Sequence, residues 1–185
     1  ISTQESCVLK YLTENIFVNE HPSLYLQYTG QQYDYRINSY NKIEKGSNEL
    51  INCLHKYDLI KNKHIPHDYK CNDRKTQLEL LAGIIDSDGS SSCNSYDIIQ
   101  KNERLLDDII FIARSLGFAA YKSVCKKSCI YKGEKKEGTY YRTCIHGKGL
   151  DEIPVKCLRK KVEPRRQIKD ALNTRIRLEK LDIDD

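Results

Sequence analysis

The segment Leu81-Ala82-Gly83-Ile84-Ile85-Asp86-Ser87-Asp88-Gly89 is an apolar run that ends in two carboxylates and a glycine. Leu78, Leu81, Ala82 and Ile85 recur at i, i+3, i+4 and i+7, one apolar face of a helix over about 75–87. Leu80, Gly83, Ile84 and Ser87 make a second face, apolar or small. A helix apolar nearly all round is expected to be buried on both sides, and Gly83 and Ser87 would let another helix approach almost backbone to backbone. Gly89 is the expected stop. Asp86 and Asp88 fall in the last turn, where the helix dipole disfavours negative charge by about 0.3–1 kcal/mol each. A divalent cation at the helix end would offset that cost. A calcium loop fits poorly, because Ser90 stands fifth from Asp86 and no glutamate stands twelfth.

The 185 residues carry a net charge of +5 with 31% charged residues. This is mildly basic, which permits a nucleic-acid partner without specifying one. There is no run of about 18 apolar residues and no signal-like start, so no membrane partner is expected and the reading is of an intracellular protein, nuclear or cytoplasmic. Of the eight cysteines (Cys7, Cys53, Cys71, Cys93, Cys125, Cys129, Cys144, Cys157), only Cys125 and Cys129 lie close in sequence, without a CxxC or paired histidines. They are read as reduced thiols rather than disulfides or zinc ligands. The chain has no methionine and starts with isoleucine, which reads as a processed or trimmed piece of something longer.

Two halves join near Pro66–Asn72. In the second, a polar strand region over Ser90–Ile99 follows the apolar helix. A helix over Glu103–Leu116 comes next, with Leu106, Ile109, Ile110 and Ala113 on one face and Gly117 as its stop. A β-hairpin then runs over Ala119–Ile130 and Thr139–His146 with a basic tip at 132–136. An apolar segment, Leu150–Leu158, closes the unit, with Pro154 limiting its helicity. The first half echoes the later part of this pattern: an apolar helix through Leu12, alternating runs at Leu24–Tyr28 and Tyr33–Ile37, and a helix over about Ser47–Tyr57 capped by Ser47. The organisation predicted is residues 1–72 as a partial first repeat lacking its signature helix, 73–166 as a complete second repeat, and 167–185 as a tail leaving the module, with strand-like alternation at Thr174–Leu181.

The Leu81–Gly89 string resembles the signature of the LAGLIDADG homing endonucleases. That resemblance implies an α+β fold of αββαββα repeats around a saddle-shaped antiparallel sheet. It implies two signature helices side by side, the second supplied by an upstream segment or by a homodimer partner. Asp88 matches the metal-binding catalytic acid, Asp86 the preceding acid with a structural role, and Gly83 and Ser87 the helix–helix interface. The cofactor implied is Mg²⁺ (or Mn²⁺) and the substrate is double-stranded DNA with a long recognition site. A closer resemblance is to intein-encoded members of the family, of the vacuolar-ATPase intein type. In these a lysine shortly before a proline ends each repeat and reaches the active site. Asn62-Lys63-His64-Ile65-Pro66 and Arg159-Lys160-Lys161-Val162-Glu163-Pro164 match, with Lys63 and Lys161 as the family lysines. The run Ile112–Gly117 and the ending Leu178–Asp185 also look intein-like. The first signature helix is absent, as are an N-terminal splicing nucleophile and a terminal His-Asn, so this polypeptide is not expected to splice alone.

DNA contact is expected from alternate side chains of the sheet lying along the major groove. The candidates are Ser92, Asn94 and Tyr96; Lys122, Lys126, Lys127, Lys132, Lys135, Lys136 and Arg142 on the hairpin; and Arg36 and Lys42 in the first half. Two rivals share the scaffold: an RNA-binding, maturase-like module and a catalytically inactive relict that binds DNA.

Overall fold

A computed structural model describes residues 1–40, 48–131 and 134–164 of the chain. The first half opens with α1 (Ser6–Tyr11), which continues into a π-helical segment, Leu12–Glu20. A hairpin of β1 (Leu24–Tyr28) and β2 (Tyr35–Ser39) forms a two-stranded antiparallel sheet, followed by α2 (Glu49–Lys56). The alternation of apolar residues anticipates both strands, with β2 starting two residues later than expected. The side chain of Asn48 caps α2 by accepting from the Ile51 amide at 2.8 Å. Ser47, the expected cap, lies outside the described residues. The continuation past Leu12 is not anticipated: Leu12–Glu20 is largely polar, and Phe17 is its buried residue.

After a short helix, α3 (His67–Lys70), the apolar signature folds as α4 (Arg74–Asp88). Asp73 starts it, its carboxylate accepting from the Thr76 amide. Then come β3 (Gly89–Ser92), β4 (Ser95–Gln100), α5 (Glu103–Ser115), β5 (Ala119–Tyr131) and β6 (Glu134–His146). The four strands form an antiparallel sheet in the order β3-β4-β6-β5. The polar strand region expected over Ser90–Ile99 is a tight hairpin, turned at Cys93 and Asn94, both with positive φ. Gly89 does not act as a left-handed stop: its φ is −90°. It is required for space instead, because a Cβ there would lie 2.8 Å from the Ile85 Cα.

The core fills the space between the helices and one face of the sheet. Leu81, Ala82 and Ile85 of α4 and Leu106, Ile109, Ile112 and Ala113 of α5 pack with Tyr96, Ile98, Phe118, Ala120 and Ile145. Asp108 of α5 is buried there with its partners: one oxygen accepts from the Ile65 amide and the other from Lys70. The final described segment runs under α4, burying Leu150, Ile153, Val155 and Cys157.

One expectation about the cysteines is overturned. Cys7 and Cys157 form a disulfide, with Cα atoms 5.7 Å apart across 150 positions of sequence. Docking of α1 on the 155–160 segment creates a proximity that no local spacing can reveal. Cys53, Cys71, Cys93, Cys125 and Cys144 are free thiols. No helix among the described residues is long and apolar enough to cross a membrane. The expected tail, 167–185 with its alternating Thr174–Leu181, lies outside the described residues.

Candidate active site and nucleic-acid face

The two acids at the end of α4 point into different surroundings. Asp86 is 4% exposed, and its oxygens accept from the backbone amides of Lys156 and Cys157 at 2.8 and 3.0 Å. Its contacts are therefore to the closing segment of the same chain. Asp88 is exposed, and Gln100 Nε2 of β4 donates to its Oδ2 at 2.9 Å. Asp88, Ser90, Asp97, Ile99, Lys127 and Tyr140 line a concavity of about 310 Å³ on the sheet face opposite the helices. Asp97 and Tyr140 had no sequence signal beyond strand parity, which becomes readable only once the register is known.

The offset for the unfavourable helix end comes, among the described residues, from a lysine. Lys160 is 3% exposed, and its ammonium donates to the carbonyls of Ile85 and Asp86 at 3.0 and 2.6 Å. Burial holds its pKa below the ordinary lysine value, reinforced by the charge of Arg159, while Asp86 and Asp88 act in the opposite sense. Beside it, Arg159 pairs with Glu5, whose carboxylate lies 3.8 Å from the Lys160 ammonium. The proline spacing points to Lys161 rather than to its neighbour Lys160, because distance from a proline cannot say which of two adjacent lysines is buried. Lys161 and Lys63 are both exposed.

Register divides the expected DNA-contacting residues into two groups. Residues paired directly across an antiparallel ladder share a face. Ser90↔Asp97, Ile99↔Arg142, Cys125↔Tyr140, Lys127↔Gly138 and Cys129↔Lys136 put Lys127, Lys136 and Arg142 on the open face with Asp97. Ser92, paired with Ser95, shares that face, and exposed Asn94 sits in the adjoining turn. Lys122, Lys126 and Lys135 have the opposite parity. Lys122 indeed reaches α5, donating to Glu103 and Asp107, whose hydrogen bonds, Asp107 first, push its pKa up to about 12. Lys135 pairs with Glu137.

Tyr96 must be withdrawn as a DNA contact. It is 1% exposed, on the core face of β4 with Ile98 and Gln100, and burial pushes its phenol pKa up. Arg142 does reach the open face, but Asp97 binds its guanidinium at 2.7 Å. Arg36 is exposed on the outer face of the β1–β2 hairpin, opposite Gln27. Lys42 and Lys132 lie outside the described residues.

The expectation that α4 is buried on both sides also needs correction. Gly83 and Ser87 are exposed, and a Cβ built on Gly83 meets nothing within 4 Å. The Ser87 hydroxyl turns back to the Gly83 carbonyl at 3.0 Å. Overpacking at Gly83 is therefore not expected within this chain. Gly83→Leu is expected to raise the stability of the isolated chain by up to about 1 kcal/mol, the propensity difference between glycine and a good helix former. Denaturant unfolding measures it, and a loss above about 1 kcal/mol would mean the face is already covered.

Among the described residues, three potential metal donors converge at Glu5, Cys7 and Cys157, where the two sulfurs are already joined. Asp88 offers a single exposed hard oxygen ligand. A carboxylate of this kind can contribute one ligand to a hard divalent cation.

The family model described as homing endonuclease matches residues 64–168, more than half of the chain. No curated protein matches it.

Proposed function

Because the chain belongs to the homing endonuclease family, we propose that it is the complete second repeat and part of the first of a LAGLIDADG enzyme, encoded within an intein, that hydrolyses both strands of a specific DNA site. The observation that carries this reading is Asp88. It is an exposed carboxylate at a helix C-terminus, opening onto a sheet face that also presents Lys127, Lys136 and Arg142. Asp86, two residues away, has its oxygens engaged by backbone amides, which leaves Asp88 as the acid available for chemistry.

In this reading Asp88 holds Mg²⁺ (or Mn²⁺). When bound, the ion supplies a Lewis acid for the scissile phosphate and a water of lowered pKa. Gln100 fixes the carboxylate by its hydrogen bond to Oδ2. Exposed Lys63 and Lys161 place point charges at the phosphate or the attacking water, a task that needs no bidentate geometry. Strands β3–β6 lie along the major groove, with Ser92 and Asn94 at one end and the long hairpin at the other. Arg36 extends the contact into the first half.

A second signature helix completes the site, from an upstream segment or from a second copy of the chain. Two features adjoining α4 support this. One is the exposed Gly83–Ser87 face. The other is an apolar cavity of about 470 Å³ in the first half, walled by Leu12, Phe17, Leu24, Ile37 and Leu54 and reaching α4 at Leu80.

The test is the salt dependence of duplex binding. With about five or more phosphate contacts, the log–log slope of affinity against salt is expected to be near −4 or steeper. A flat dependence, or a preference for single-stranded RNA over duplex DNA, would overturn the reading in favour of the inactive relict or the maturase-like module.

A further inference from the structure

We infer that Lys160 is a positioning residue for Asp88, acting through the backbone of the last turn of α4. A helix C-terminus leaves its final carbonyls without intrahelical partners. Here two of them, on Ile85 and Asp86, point at one buried ammonium. The Ile85 carbonyl is shared, because it also accepts from the Gly89 amide that starts β3. Lys160 therefore holds the corner at which the helix becomes a strand, and Asp88 is the residue on that corner.

From the other side, Gln100 of β4 holds the Asp88 carboxylate itself. The acid is thus fixed twice, by its backbone through Lys160 and by its side chain through Gln100. The ammonium in turn sits near Glu5, just before α1, and one turn of chain away from the Cys7–Cys157 disulfide. The N-terminal segment is thereby mechanically connected to the acid. A lysine suits this place because its donors on one flexible stem satisfy two carbonyls at once, while its charge faces the Glu5 carboxylate at 3.8 Å and complements the negative end of the helix.

This inference rests on the reading of Asp88 as the acid that matters, and its test is separable from that reading. Native-state hydrogen exchange is measured by NMR on the full chain carrying Lys160→Met. The Gly89 amide and the Gln100 side-chain amide are expected to lose protection by about tenfold or more relative to the Ile109 and Ile145 amides in the core. In an assembly with both signature helices, the cleavage rate should fall by roughly 10–100-fold at unchanged duplex affinity, as misplacement of a reacting group predicts.

A uniform loss of protection would make Lys160 a general stabiliser and overturn the inference, and so would no loss at all. If the methionine variant does not fold, Lys160→Gln, which keeps donors without the charge, is read in the same way. The exchange pattern judges Lys160 even if Asp88 proves catalytically silent.

Discussion

Asp88→Asn is expected to reduce DNA cleavage to background while leaving duplex affinity within a few-fold of the parent. The amide oxygen of asparagine can still accept from Gln100 Nε2, so the link from α4 to β4 stays formed. What disappears is the negative charge, on which divalent-cation binding by a single carboxylate depends. The strand face that meets DNA is untouched, because Lys127, Lys136 and Arg142 are carried by β5 and β6. The measurement is cleavage of a duplex target in Mg²⁺ and in Mn²⁺, beside a binding titration in calcium, using an assembly that contains both signature helices. Cleavage persisting at a tenth of the parent rate or above would remove Asp88 from the chemistry.

Asp86→Ala has the opposite signature. Its two oxygens satisfy the amides of Lys156 and Cys157, in a place where Asp86 and Cys157 are both nearly inaccessible. Removing the carboxylate strands both donors, each at a desolvation cost of about 1–3 kcal/mol. It also takes away one of the charges that offset Lys160. The expected loss of stability is about 2–5 kcal/mol, the range for leaving two buried donors unsatisfied, seen as a lower denaturant midpoint at unchanged slope. A loss below about 1 kcal/mol would show that the closing segment finds other partners. Asp86→Asn is expected to fall between, since one amide oxygen can serve only part of the pair.

These two acids show how much of the molecule local sequence can convey. Apolar spacing announces α4 and α5, and Asn102 and Asp73 cap them as short polar residues before a helix do. The hairpin of β5 and β6 follows from two alternating runs. Parity is harder. In Tyr96-Asp97-Ile98-Ile99-Gln100 both alternating sets contain an isoleucine, so the pattern alone cannot say that Tyr96 faces the core. The register with β6 decides it. Lys160 and Lys161 pose the same difficulty over one residue, settled by the short 3-10 turn Leu158–Lys160 that swings Lys160 inward. The Cys7–Cys157 pair depends on two segments at opposite ends of the described chain. Gly83 is instructive in another way: a glycine on an apolar helix announces a close approach, and among the described residues nothing lies within 4 Å of a Cβ built there.

The separation of Asp86 from Asp88 has a consequence for how such genes age. On the proposed reading, a copy that stops cutting DNA is released from keeping Asp88, since an exposed carboxylate can drift to asparagine, serine or lysine without harming the fold. The same copy must retain Asp86 for as long as its host needs it to fold, because the backbone of residues 156–157 is built around it. Among descendants of one ancestor, an intact first acid therefore records only that the protein is still made and tolerated. On the proposed reading of Asp88 as the catalytic acid, substitution of the second acid is the mark to look for in lineages where homing has ended.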